Sequence, residues 1–222
     1  MRLATDAVRV RVPATSANLG PGFDALGLAL GLYDEIEVRA LGAAATSVEV
    51  IGEGAGRVPE DENHLVVRAL RHALDVAGAP QVGVSMRCTN LIPHCRGLGS
   101  SAAAVVAGII AARGLISEPE SLDDEVALRI ATEFEGHPDN AAPAILGGAT
   151  VAWTEEAGPR AVSIDVDPAV VPVAIVPPVQ LSTKTARGVL PAHVPHADAA
   201  FAAGRAALLV EALGRRPELL LP

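Results

Sequence analysis

The residues with the types and spacing to do chemistry fall in separate stretches. The most distinctive is Gly97-Leu98-Gly99-Ser100-Ser101, between an apolar run ending at Pro93 and a long Ala/Val/Ile segment beginning at Ala102. Glycines let a backbone fold closely around a ligand, and the unpaired N–H groups at a helix start attract an anion. A nucleotide phosphate suits such a cradle, and a tight turn before an N-capped helix has the same composition. Lys184 is the only lysine, so the Gly-Lys-Ser/Thr of ordinary phosphate loops is absent. A cradle here would rest on backbone amides, a helix dipole and a metal.

A second stretch, residues 14–27, sets Thr15, Ser16, Asn18 and Asp24 among glycines. It reads as a turn, or as a pocket whose polar groups are drawn inward by Leu19, Phe23 and Leu26. A third, residues 136–143, gathers His137, Asp139 and Asn140 between prolines. It is either an Asx-type turn or a set of hydrogen-bonding groups that orients a polar small molecule. Just before it, Glu133 falls about 20° from Leu122 around a helix with a buried stripe of Leu122, Val126, Ile130 and Phe134. A carboxylate there must be paired or metal-bound unless the helix ends early near Gly136. Glu135 lies on the other side and reads as solvated. The last stretch, residues 181–187, brings Lys184 and Arg187 close to hydroxyls, as an exposed helix start or an anion clamp.

The elements that must position these groups can be read from periodicity. Residues 8–12 alternate as a strand; 26–30 and 36–40 read as strands around a turn at Tyr33-Asp34-Glu35; 47–51 and 82–86 read as two more. Residues 64–77 show a helical apolar face with Gly78 as its stop, on which His64 and His72 read as solvated. Residues 101–113 are apolar all round, as in a buried helix, and the next helix is capped by Ser121. A composition break at 154–160 places a boundary near residue 155, dividing 1–155 from 156–222. Beyond it, 161–166 and 170–176 read as strands and 198–213 as a helix, which leaves the second domain unfinished.

Composition narrows the function classes. The net charge of −9 disfavours nucleic acid and anionic membranes. Phe23, Tyr33, Phe134, Trp153 and Phe201 are too scattered to stack bases. No run approaches a membrane span, and residues 1–6 lack the apolar core of a signal peptide. Cys88 and Cys95 read as reduced thiols of a cytoplasmic protein.

Taken together these stretches resemble the GHMP small-molecule kinases, and within them the branch that phosphorylates homoserine. The resemblance rests on residues 13–24, on the signature phosphate loop 93–103, on Glu133 with His137-Pro138-Asp139-Asn140-Ala141-Ala142-Pro143, and on residues 182–187. It covers essentially the whole chain in order. It implies an α+β fold of two domains, an N-terminal one like the second domain of ribosomal protein S5 and a ferredoxin-like C-terminal one, the latter incomplete here. It also implies transfer of the ATP γ-phosphate to the hydroxyl of L-homoserine, with ATP and Mg²⁺ bound, and leaves a homodimer open.

By that resemblance Pro93, His94, Cys95, Arg96, Gly97, Leu98, Gly99, Ser100, Ser101, Ala102 and Ala103 wrap the ATP phosphates, and Asn63 lies near the nucleotide. Ser101 and Glu133 hold Mg²⁺. Asn18, Asp24, His137, Asp139, Thr183 and Arg187 bind the amino acid, Asp24 facing its ammonium and Arg187 its carboxylate. Asp139, Asn140, Ser101 and Glu133 are the expected catalytic set. A third glycine-rich motif and a second substrate arginine of the family have no counterpart in the sequence.

Overall fold

The computed structural model describes residues 1–42, 45–179 and 183–220, leaving aside the side chains of Thr183 and Lys184. Its frame is a mixed sheet built on one long strand. Strands β1 (Ala7–Ala17), β2 (Leu26–Leu41), β3 (Thr46–Gly52), β4 (Gly83–Asn90), β5 (Ala149–Glu155) and β6 (Gly158–Ile164) run in the order β3-β4-β2-β5-β6, with β1 also pairing along β2. All neighbours are antiparallel except β3 and β4, which are joined through helix α1 (Leu65–Val76). The two strands expected around a turn at Tyr33-Asp34-Glu35 are therefore a single strand. Asp34 lies inside it, buried, with Ile36 and Val38 on the core side.

Helix α2 (Ser100–Leu115) is buried on most sides, packing on α1, β1 and helix α3 (Asp124–Glu135). Gly108 of α2 lets it approach α1 closely: an added Cβ would collide with the Val66 carbonyl and Ala69. Helix α4 (Ala141–Leu146) follows α3, and β5 and β6 form a hairpin. The break near residue 155 falls in that hairpin's turn, so the sheet runs on to Ile164. The expected strand at 170–176 does not form; those residues have no regular structure, and Val171, Val173 and Ile175 are exposed. Helices α5 (Thr183–Arg187) and α6 (His196–Gly214) come after it, and the Asp167 N–H bonds the Leu213 carbonyl at 2.8 Å. Among the described residues, no helix is long and apolar enough to cross a membrane.

The start of α3 corrects the helix geometry read from the sequence. Asp123, not Ser121, caps it, accepting from the Val126 N–H at 2.9 Å. Leu122 belongs to a preceding 3-10 turn (Pro119–Leu122) and is no reference for the helix face. The buried face consists of Ala127, Leu128, Ile130 and Ala131. At about 100° per residue, Glu135 lies roughly 60° and Glu133 roughly 140° from the middle of that face. The inward carboxylate is thus Glu135.

Candidate active site

The glycine-loop segment is tied down at two points. At its start, the Asp34 carboxylate Oδ1 accepts the N–H groups of Leu91 and Ile92 at 2.6 and 2.9 Å. Burial pushes the Asp34 pKa up, and those two backbone donors pull against it. Further along, the Leu98 carbonyl accepts from the Thr15 N–H at 3.1 Å, tying the loop to the end of β1. Gly97 and Gly99 take positive φ of 72° and 65°. At Gly99 a side chain has no room, since an added Cβ would run into Thr15 Oγ1 and sit 2.9 Å from Asn140 Oδ1. Gly99 is also the N-cap of α2, with no side-chain cap bond, so the first amides of α2 are not satisfied by a capping side chain.

Ser101, in the first turn of α2, donates to Glu135 Oε2 at 2.8 Å. Burial raises the Glu135 pKa from its ordinary value, opposed by the Ser101 bond. Glu133 points elsewhere: it pairs with His72 Nε2 at 3.0 Å, in a separate exposed cleft shared with Arg68 and Arg71. The expected Ser101–Glu133 pair is therefore replaced by Ser101–Glu135.

The turn between α3 and α4 supplies the next groups. Asp139 is buried, and its Oδ1 takes the His137 Nδ1 and the Asn140 N–H, the latter at 3.0 Å. The Asp139 bond holds the His137 pKa above its ordinary value, against burial. Asp139 Oδ2 is buried with no hydrogen-bond partner. Asn140 Oδ1 accepts from Thr15 Oγ1 at 2.9 Å, which links this turn to β1 and to Gly99. Gly27 of β2 makes the packing possible, because a Cβ there would strike the Asp139 carbonyl and Pro143.

Residues 18–24 complete the wall. Asn18, Leu19 and Asp24 adopt positive φ of 68°, 45° and 56°, and Asn18 Oδ1 accepts the Asp24 N–H at 2.8 Å. Arg187 reaches across from α5 to grip Asp24 in a two-pronged pair, Nη2–Oδ1 at 2.5 Å and Nη1–Oδ2 at 3.1 Å. Phe23, expected to be buried, is 51% exposed; its ring lies 5.8 Å from the Arg187 guanidinium carbon.

One cavity of about 540 Å³ is lined by Asn18, Phe23, residues 95–101, Glu135, His137, Asp139, Asn140 and Arg187; Asp24 is not in its lining and is joined to it through Arg187. A second cavity, about 270 Å³ and mainly apolar, lies behind the loop and shares Cys95, Ser100 and Ser101 with the first. Asn63, His94 and Ala103 line it, with Asp34, Asn90 and His64. His64, expected to be solvated, is buried, and burial lowers its pKa. Pro93 and Ala102 line neither cavity, Ala102 being packed in the core. The Thr183 side chain lies outside the described residues. Both cysteines are free; Cys88 is buried, its thiol pushed up to about 12 by desolvation, and Cys95 is exposed at the loop.

Comparison with known proteins decides the family. Residues 64–148 match the model for the N-terminal domain of GHMP kinases. A homoserine kinase of Streptomyces coelicolor is 58% identical over 217 residues, 97% of this chain and 70% of that protein. This chain belongs to the homoserine kinase family. Another member, from Mycobacterium tuberculosis, is 52% identical over 95% of this chain and 68% of its own length. The crystal structure of homoserine kinase from Cytophaga hutchinsonii superimposes with a TM-score of 0.78 at 30% identity, over 95% of this chain and 68% of that one. The chain thus spans about 70% of its curated relatives. Within the matched GHMP region lie the loop, Ser101, Glu135 and Asp139; Asn18, Asp24 and Arg187 lie outside it.

Sequence reasoning missed Glu135, Asp34 and the tie made by Thr15. For Glu135 the usable signal was the Asp123-x-x-Val126 cap, which moves the helix start past Leu122. For Asp34, the signal was an aspartate inside an otherwise strand-like apolar alternation.

Proposed function

We propose that this member of the family transfers the γ-phosphoryl group of ATP to the side-chain hydroxyl of L-homoserine, giving O-phospho-L-homoserine for threonine biosynthesis. The observation that carries this reading is the single 540 Å³ cavity. It joins a lysine-free glycine loop to a buried carboxylate with one free oxygen and to Arg187, whose partner Asp24 lies just outside the lining and completes a charge pair suited to a zwitterion. The amides of residues 97–101 and the start of α2 would hold the phosphates. The apolar second cavity, on the other side of the same loop, would take the nucleoside.

Ser101 Oγ and Glu135 Oε2, hard oxygens 2.8 Å apart, fit magnesium, which prefers oxygen ligands and keeps several waters. Magnesium held there would offset the triphosphate's charge. Asp24 would receive the α-ammonium and Arg187 the α-carboxylate, each charge of their mutual pair being taken up by the opposite charge of the amino acid. His137 and the Asn140 N–H fix Oδ1 of Asp139, which leaves Oδ2 for the homoserine hydroxyl. As that hydroxyl oxygen bonds to the γ-phosphorus, the bond to the β–γ bridging oxygen breaks and ADP leaves. Asp139 Oδ2 accepts the hydroxyl proton. Most of the catalysis is positioning and charge stabilisation, as is general for phosphoryl transfer.

The test is ADP release from Mg-ATP with L-homoserine, beside mevalonate and galactose. ADP release dependent on homoserine alone is expected. Equal turnover with the sugar or the isoprenoid alcohol would refute the substrate assignment, and no turnover with any of them would refute the kinase reading for this chain.

A further inference from the structure

An asparagine amide offers an acceptor on one side and a donor on the other, and at Asn140 the choice between them is made by Thr15. Thr15 lies on β1 where the β1–β2 register shifts, and it is fully buried. Its N–H donates to the Leu98 carbonyl of the glycine loop at 3.1 Å, and its Oγ1 donates to Asn140 Oδ1 at 2.9 Å. That bond turns the Asn140 amide with its oxygen toward Thr15 and its Nδ2 away. Nδ2 has no partner among the described residues, and Asn140 lines the 540 Å³ cavity. The Asn140 N–H bonds Asp139 Oδ1, so the unmet Nδ2 donor and the unmet Asp139 Oδ2 acceptor stand on adjacent residues of one turn. Gly99 closes over the Thr15–Asn140 bond, since an added Cβ would run into Thr15 Oγ1 and sit 2.9 Å from Asn140 Oδ1.

We propose that Thr15 is a positioning residue for phosphoryl transfer: acting through Asn140, its hydroxyl aims the Asn140 Nδ2 donor at the oxygen of the acceptor hydroxyl, beside Asp139 Oδ2. The proposal rests on the kinase reading above. Asp139 Oδ2 takes the proton of that hydroxyl while Asn140 Nδ2 holds its oxygen, and a displacement of about 1 Å in such a group is enough to cost much of the rate. Through its backbone Thr15 also ties down the glycine loop, so one buried residue sets the acceptor side against the loop. Valine has nearly the shape of threonine and keeps the backbone bond, but it gives Asn140 Oδ1 no hydrogen. The amide is then free to turn and present its oxygen, an acceptor, where the donor is needed.

The experiment measures steady-state ADP release with Mg-ATP and L-homoserine, and Mg-ATP binding by calorimetry. It compares the parent chain, Thr15→Val, Thr15→Ser, Asn140→Ala and the double variant Thr15→Val with Asn140→Ala. Thr15→Val is expected to lose about tenfold or more in kcat, with both KM values and the Mg-ATP affinity within about twofold of the parent. Thr15→Ser, which keeps the hydroxyl, is expected to retain most of the parent's kcat. The double variant is expected to be no slower than Asn140→Ala alone, because Thr15 acts through Asn140. An unchanged kcat in Thr15→Val would overturn the proposal while leaving the kinase reading intact. So would equal losses in Thr15→Val and Thr15→Ser, or a double variant slowed by the product of the two single effects. A Thr15→Val chain that fails to fold, or that loses Mg-ATP binding along with kcat, would mark the hydroxyl as structural and overturn it too. A parent chain that releases no ADP with homoserine would overturn the kinase reading and the proposal together.

Discussion

Replacing Gly99 by alanine tests the loop geometry with a magnitude that follows from the structure. Gly99 sits at φ +65°, a region that costs an L-residue about 1–2 kcal/mol. Its added Cβ also meets Thr15 Oγ1 and lies 2.9 Å from Asn140 Oδ1, the two atoms of the 2.9 Å hydrogen bond linking β1 to the Asp139 turn. Displacing that bond adds about 1 kcal/mol. Gly97 is the internal control: its φ is +72°, but an added Cβ has nothing within 4 Å. Gly97→Ala should therefore show the conformational cost alone, and Gly99→Ala about 1 kcal/mol more. For a chain of this size that is a further fall of roughly 2–4 °C in melting temperature. Calorimetric melts of the parent and both variants, without and with Mg-ATP, measure it. Gly99→Ala should also lose most of the nucleotide-induced shift, because Thr15 and Asn140 are pushed from the loop. If Gly99→Ala melts with or above Gly97→Ala and keeps the full shift, the close approach argued for this loop is wrong.

The remaining predictions use the same observables. Glu135→Gln should weaken Mg-ATP binding by more than about tenfold, the effect of losing a charged group worth about 1.5–3 kcal/mol, while Glu133→Gln leaves it unchanged; equal effects would refute the choice of carboxylate. Burial raises the folded pKa of Glu135, so its charged form opposes folding and stability falls as pH rises through the interval above the ordinary carboxylate value. Without nucleotide at neutral pH, Glu135→Gln should thus melt at or above the parent. His137 behaves oppositely: its raised pKa stabilises the fold fully below about 6.5, and that stabilisation is lost as pH climbs through the folded value. The melting difference between the parent and His137→Asn should be largest in acid and shrink as pH rises above the ordinary histidine value, and a difference that grows with pH would contradict the His137–Asp139 pairing. Asp34→Leu leaves the Leu91 and Ile92 N–H groups unmet and should cost about 2–4 kcal/mol in denaturant unfolding. Asp34→Asn keeps an acceptor and should cost markedly less.

What the sequence revealed and what it hid follow from the range of the interactions involved. The glycine loop was legible because its chemistry is local: Gly97 and Gly99 announce positive φ, and Ser100 opens an all-apolar helix. Asp24 and Arg187 are set facing an amino acid only by the family resemblance. Their bidentate grip, across 163 positions, was not legible. With Leu122 counted into α3, the helix face points to Glu133. One capping residue, Asp123, shifted the start and turned the face by enough to exchange Glu133 for Glu135. Asp34 looked like a turn residue because its reason for being buried, the start of the loop at Leu91 and Ile92, lies 57 and 58 positions away. The apolar residues 170–176 have strand composition but meet no partner strand among the described residues, so composition alone did not make them one.

The central claim is that this cavity moves a phosphoryl group onto homoserine, with Ser101 and Glu135 serving the nucleotide. Mass spectrometry of the products after incubation with Mg-ATP and L-homoserine tests it most directly. Phosphohomoserine should accumulate with the parent chain and with Glu133→Gln, and be strongly reduced with Glu135→Gln. Phosphohomoserine made equally by all three, or absent with the parent chain, would contradict the account.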